Sequence, residues 1–277
     1  MAEIKASDVA KLRQMTGTGM MDCKKALEEA NGDFGRAQEI IREKGKLVAS
    51  KRADRETKEG AVIAATVADG DGTKGILVCL GCETDFVSKN AEFQVLAKKI
   101  ADAALNTFPA DLAGLMAIKV DGMTVEELVT QQTAKTGEKH QVMFYDKLEA
   151  PMLSIYNHMN GKVSSLVGFS KKISADAAKN IAMQAAAMAP ISVSKDDCPQ
   201  EVQEKELQIG REQAKQEGKP EAMIEKIAQG KLNRFFKDST LMAQDFIKDG
   251  KSSVEAYLKS VDADVKVLDF RRFSLSE

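Results

Sequence analysis

Tryptophan is absent from this 277-residue chain, and histidine occurs only twice, as His140 and His158. No serine motif, Walker loop, glycine-rich dinucleotide turn or paired metal-ligand spacing accompanies them, which argues against triad chemistry, a P-loop and a multi-histidine metal centre. Catalysis would have to rest on scattered carboxylates, so no catalytic residue, cofactor or metal is assigned and the chain is read as a non-enzyme. The four cysteines, Cys23, Cys79, Cys82 and Cys198, are too sparse for the disulfide framework of a small secreted domain and suit a reducing cytoplasm. No run approaches the roughly 18 apolar residues that span a bilayer, and Met1-Ala2-Glu3-Ile4-Lys5 lacks the basic-then-apolar form of a secretory signal, so a cytoplasmic location without a membrane partner is expected. Nor does one sign of charge prevail. With 40 Lys and Arg against 42 Asp and Glu, affinity cannot come mainly from neutralising phosphates, and direct nucleic-acid binding is not expected.

What is present is apolar patterning long enough for two or three units, each with its own core. Ser7 can cap a helix from Asp8 to about Met15, broken by Thr16-Gly17-Thr18-Gly19. A second helix carries Met20, Cys23, Ala26, Leu27 and Ala30 at helical spacing, and a third, capped by Asp33, carries Phe34, Ala37, Ile40 and Ile41 and is expected to close at Gly45. The charged segment after these three helices reads as a linker. From Ala61 the pattern changes to two apolar runs around the turn Asp69-Gly70-Asp71-Gly72, a β-hairpin, followed by a helix from about Asn90. The same order returns with Leu153–Tyr156, the turn Asn160-Gly161, Val163–Phe169 and an Ala-rich helix ended by Pro190, which suggests a duplicated core. Between Pro199 and about Asp245, Gly218-Lys219-Pro220 splits a polar helical segment into an antiparallel hairpin. The alternating stretch Val265–Phe273 predicts a final strand.

Several signals have two readings. Cys79-Leu80-Gly81-Cys82 is formally a C-x-x-C, but residues three apart on a strand point to opposite faces and no second pair completes a zinc site. Both are read as buried packing residues, with thiol redox chemistry as the alternative. Thr16-Gly17-Thr18-Gly19-Met20-Met21 is either an ordinary interhelix loop with a methionine in the core or, since adjacent Met20 and Met21 cannot both face inward, a segment that leaves one of them outside as an adaptable apolar contact rimmed by Lys24 and Lys25. Phe86, in the polar loop Glu83–Lys89, is either a plug tying the loop to the core or a projecting anchor beside Asp85. His158, near a strand end, is read as a half-exposed structural residue.

At these residues the chain resembles the bacterial elongation factor Ts family. Leu12-Arg13, then Thr16-Gly17-Thr18-Gly19-Met20-Met21-Asp22-Cys23-Lys24-Lys25-Ala26-Leu27, is similar to that family's N-terminal signature, and Thr84-Asp85-Phe86-Val87 to its second. Ile181-Ala182-Met183 and Gly218-Lys219-Pro220 also match in order and spacing. The family often has a histidine where this chain has Asn180, and some members carry an extension beyond the last strand that this sequence lacks.

The resemblance implies an α+β fold with an N-terminal three-helix ubiquitin-associated-like domain at 1–50, a linker at 51–60, and a core of two related hairpin-plus-helix subdomains. These would occupy 61–148 and 149–198 with 249–277, with an antiparallel coiled-coil hairpin inserted at 199–248. It further implies a guanine nucleotide exchange factor that binds elongation factor Tu, both GDP-bound and nucleotide-free, and promotes GDP release. Thr84, Asp85, Phe86 and Val87 would form the nucleotide-release loop. Leu12, Met20, Met21 and Lys24 would contact the partner from the N-terminal domain, and Gly137 and His158 from the C-terminal half. The alternative is an adaptor or scaffold of ubiquitin-associated type, for which the three helices alone would suffice.

Overall fold

In the computed structural model, which describes residues 4–276, the first helix α1 (Ala6–Thr16) starts two residues ahead of the expected start at Asp8. Lys5 precedes it and donates its N–H to the Asp8 carboxylate. Gly17, at φ 68°, ends it by returning its N–H to the Arg13 carbonyl, a left-handed cap that a Cβ would strain. α2 (Met20–Glu29) and α3 (Phe34–Lys51) follow, the latter capped by Asp33, which accepts the Arg36 N–H at 2.7 Å. Leu12, Cys23, Leu27, Ala37 and Ile40 meet in a small apolar core of these three helices. The expected stop at Gly45 is wrong. Gly45 stays helical and buried, and α3 runs on to Lys51, because this glycine serves close helix packing and not a cap.

β1 (Glu59–Asp69) and β2 (Gly72–Cys82) make the first hairpin, with Gly70 at φ 57° in its turn. Then come α4 (Asp85–Ser88), α5 (Ala91–Thr107), α6 (Leu112–Ala117), the short antiparallel pair β3 (Lys119–Val120) and β4 (Met123–Thr124), and α7 (Val125–Thr136). α7 carries a capping box in which Thr124 Oγ1 accepts the Glu127 N–H and Glu127 Oε2 accepts the Thr124 N–H. β5 (Gln141–Ala150) completes a sheet of order β1-β2-β5, and central β2 is buried without interruption from Gly75 to Cys82. Gly45 of α3 sits where a Cβ would lie 3.3 Å from the Ala134 Cβ of α7, so the missing side chain is what lets the two helices approach.

β6 (Met152–Asn157) and β7 (Val163–Phe169) form the second hairpin, followed by α8 (Ala175–Met188). Two longer helices, α9 (Gln200–Gln216) and α10 (Glu221–Ser239), come next, then α11 (Val254–Val261) and β8 (Val267–Ser274). β8 pairs antiparallel with β7, Ser164 opposite Phe273, giving the sheet order β6-β7-β8. Phe169, Ile181, Ala182, Leu241 and Leu258 centre its core. α9 and α10 run antiparallel around Gly218-Lys219-Pro220, and Arg211 forks onto the Glu225 carboxylate at 2.7 and 2.8 Å.

The fold is therefore α+β. The described chain divides into two compact units, one reaching to Ile63 and taking Val78–Asp146 with Leu275 and Ser276, the other made of Ala64–Leu77 and Lys147–Ser274. Among the described residues no helix is long and apolar enough to cross a membrane.

Candidate functional site

The segment Glu83–Lys89, read from sequence as a polar loop, holds one turn of helix, α4 (Asp85–Ser88), just beyond the end of central strand β2. Its inner side is tied down and its outer side is not. Ser88 is buried, with Oγ donating to the Asp85 carbonyl at 3.1 Å, while Gln94 Nε2 donates to the Ser88 carbonyl at 2.6 Å and Asn90 caps α5 immediately after. This geometry leaves Phe86 facing out with 86% of its surface exposed, so the plug reading fails. A phenyl ring left in water forgoes about 1.5–3 kcal/mol of burial, a cost that a purely structural residue would have no reason to carry. Beside it Asp85 accepts from Lys89 Nζ at 2.7 Å, and that bond holds its carboxyl below the usual carboxylate range. The result is an apolar tip next to a carboxylate that stays charged.

A second exposed apolar group lies on the three-helix segment. Thr16, Thr18 and Cys23 turn inward, Thr16 Oγ1 donating to the Leu12 carbonyl at 2.8 Å and Cys23 Sγ to the Thr18 carbonyl at 3.5 Å. With Cys23 taking the inner position of α2, both Met20 (42% exposed) and Met21 (65%) face outward, joined by Met15 of α1. Lys24 is exposed beside them and faces Glu28 at 3.8 Å. Leu12 is fully buried, so its side chain packs the helices and offers nothing to a partner. Met15 was missed because helical spacing from Leu12 selects Thr16 as the inner residue and leaves Met15 beside the stripe.

Gly137 ends α7 at φ 74°, its N–H returning to the Thr133 carbonyl. His158 lies exposed in the β6–β7 connection of the second unit, where Tyr156 OH and its Nδ1 are 3.1 Å apart. Its neighbour Met159 is 98% exposed, a residue the sequence reading passed over although an apolar side chain directly before the turn residues Asn160-Gly161 is itself a signal. Asn180 uses its amide within the fold, donating to Tyr257 OH at 2.9 Å.

Other candidates carry less. Cys79 and Cys82 are both buried, and burial pushes each thiol up to about 12, with Glu138 adding to the effect at Cys82; neither forms the thiolate that redox exchange needs. No group of three or more His, Cys, Asp or Glu among the described residues is placed to hold a metal ion. A cleft of about 710 Å³ between α3 and α7 is lined by Ile41, Arg42, Lys46, Met123 and Glu127, but its charges answer one another. Glu127 is held below its ordinary value first by the Thr124 N–H, then by Arg42 and Lys46.

A family model described as "Elongation factor TS" matches residues 83–277. Elongation factor Ts of Christiangramia forsetii is 47% identical over 277 residues, covering 99% of this chain and 100% of that protein. The corresponding protein of Flavobacterium psychrophilum is 46% identical over 277 residues, again covering 99% and 100%. That of Porphyromonas gingivalis is 44% identical over 270 residues, covering 97% of each chain.

Proposed function

The chain belongs to the elongation factor Ts family of translation elongation factors, and from that premise we propose that it is a guanine nucleotide exchange factor that binds elongation factor Tu and promotes GDP release. The observation that carries the reading is the exposure of Phe86 beside ionised Asp85 on a turn held from within. A GTPase grips GDP through phosphate-loop amides, a lysine and Mg²⁺, whose octahedral shell tolerates little distortion. Phe86 enters an apolar slot between helices of the GTPase while Asp85 and its neighbours Thr84 and Val87 shift the segment supporting Mg²⁺ and the phosphate loop. The wedge favours a nucleotide-poor state, and GDP leaves.

Met20, Met21 and Lys24 supply a separate contact with another helix of the GTPase domain, and Gly137 and His158 approach its third domain. The three helices at 1–50 form the ubiquitin-associated-like domain and 51–60 the linker. The segment 61–148 and the pair 149–198 with 249–277 form two related core subdomains, and 199–248 the inserted coiled coil. No bond is made or broken by the chain, which acts in the cytoplasm without cofactor or direct nucleic-acid contact.

The test is release of labelled GDP from elongation factor Tu with and without this chain. Acceleration that grows with concentration and saturates is expected. Binding without any change in release would instead favour an adaptor.

A further inference from the structure

A four-residue helix cannot hold itself in water, because fixing its dihedrals costs more than its one or two backbone bonds return. α4 is such a helix, and the residue before it, Thr84, is of a type that ordinarily closes a first turn with its own hydroxyl. Here the hydroxyl points elsewhere. Thr84 makes no side-chain bond to the α4 amides; its Oγ1 donates to Glu138 Oε1 at 2.7 Å, and its backbone N–H donates to Glu138 Oε2 at 3.1 Å. One carboxylate takes both donors of the residue that precedes Asp85 and Phe86.

Glu138 is itself anchored. Gly137 turns the chain out of α7, and the Glu138 N–H donates to Thr136 Oγ1 at 3.2 Å. The exchange is reciprocal, since Glu83 Oε1 accepts the Lys139 N–H at 2.6 Å while its other oxygen meets Arg52 at 3.3 Å. Lys139 Nζ in turn donates to the carbonyls of Ala53 and Arg55 at 2.7 and 3.0 Å. Residues 83–84 and 138–139 thus clasp each other through two carboxylates.

We propose that Glu138 is a positioning residue for nucleotide release: its carboxylate fixes the backbone at Thr84, so that Phe86 is presented to the partner at a set angle. A ring ordered before encounter need not be ordered during it, and that saving appears in the wedged state more than in the first docking contact. The inference rests on the exchange reading above, but its physical core, a turn held by one carboxylate, is measurable without a partner.

Two isosteric variants of the full chain, Glu138→Gln and Thr84→Val, serve the test, with Phe86→Ala alongside. Glutamine can still meet both groups, its Oε1 accepting the Thr84 N–H and its Nε2 donating to the Thr84 hydroxyl oxygen, but it removes the charge that makes the two bonds strong, whereas valine removes the hydroxyl partner altogether. The partner-free readout is hydrogen exchange at the amides of Ser88 and Lys89, which close the turn onto the Thr84 and Asp85 carbonyls at 3.1 and 3.0 Å. Both variants should exchange about tenfold faster there, the factor for losing roughly one hydrogen bond to a charged group, while the α7 amides stay as in wild type. Maximal stimulated GDP release should fall by a similar factor, with the half-saturating concentration changed less. The double variant should be worse by less than the sum of the two single ones, because both act on the same Thr84–Glu138 contact. Unchanged exchange at Ser88 and Lys89 overturns the clasp, and so does a rise shared equally by α7, which would make Glu138 a general stabiliser. If the wild-type chain itself fails to speed GDP release while Phe86→Ala behaves identically, the exchange reading fails, and the amide measurement still decides whether Glu138 holds the turn.

Discussion

At the scale of single residues, side-chain exposure separates candidates drawn from the family-like motifs. Leu12 and Phe86 both sit in family-like segments, yet one is sealed among three helices and the other stands in water. Replacing Phe86 by alanine removes no packing, so folding stability should move by no more than about 0.5 kcal/mol. Stimulated GDP release should fall roughly thirtyfold, the effect of losing an interface anchor worth about 2 kcal/mol. Stopped-flow release beside a thermal melt checks both halves, and a variant that melts far earlier would return Phe86 to the core. His140 makes the opposite case, a titratable group turned wholly inward. Its ring lies against Phe93 with centroids 5.7 Å apart, Nδ1 is 2.9 Å from the Glu138 carbonyl, and Nε2 is buried without a hydrogen-bond partner among the described residues. Burial lowers its pKa, and the nearby Glu138 and Glu83 offset that only in part. Between the lowered folded value and the unfolded value of about 6.5, the unfolded chain binds more protons, so stability rises with pH. This contribution is complete above the unfolded pKa and is lost as pH falls through it toward the folded one. Urea denaturation at pH 7.5 and 5.5 should show a loss on acidification that is smaller in His140→Gln, and equal losses would place the pH dependence elsewhere.

At the scale of elements, two glycines in the α9–α10 hairpin should respond with opposite signs. A Cβ on Gly210 would lie 3.0 Å from the backbone Cα of Ala228, whereas one on Gly230 meets nothing within 4 Å. Gly210→Val should therefore force the helices apart at a cost of about 1–3 kcal/mol, and Gly230→Ala should stabilise α10 by up to about 1 kcal/mol. Circular dichroism melts of the two variants would test this, and equal shifts would mean that the helices are not in register at Ala228. Glycine is also where the sequence misled. Gly17 and Gly137 end helices through positive φ, but Gly45 looks the same in sequence and lies mid-helix against Ala134, a distinction that only the neighbouring helix creates. The hairpins, the Asp33 cap, the helix starting near Asn90 and the break at Gly218-Lys219-Pro220 were legible because each is a local signal. α7 and β5 were not anticipated at all. The Thr124-Val125-Glu126-Glu127 capping box was available as a signal for α7, while β5 lacks the clean alternation of a half-buried strand. At the site, the motifs marked Asp85 and Phe86, but the outward direction of the ring and the clasp to Glu138, more than fifty positions away along the chain, arise from tertiary contacts that no local pattern encodes.

At the scale of the whole molecule, the exchange reading has a thermodynamic consequence independent of which contacts deliver it. A chain that makes and breaks no covalent bond cannot consume free energy, so it can only redistribute the affinities of the GTPase for its ligands. If binding this chain lowers the affinity of elongation factor Tu for GDP by some factor, saturation with GDP must lower the affinity of elongation factor Tu for this chain by the same factor. Two calorimetric ratios express this. One compares GDP binding to the free and the chain-bound GTPase; the other compares chain binding to the nucleotide-free and the GDP-saturated GTPase. They are expected to agree, and Phe86→Ala should shrink both together if, as proposed, the ring acts only in the state from which nucleotide has been displaced. Met20→Ala with Met21→Ala should instead weaken both chain-binding affinities in parallel and leave the ratio nearly intact, since a contact made equally in both states cannot shift their balance. A methionine variant that changes the ratio as strongly as Phe86→Ala would show that the exposed methionines also act on the nucleotide-poor state, and the division of labour between docking and wedging would have to be given up.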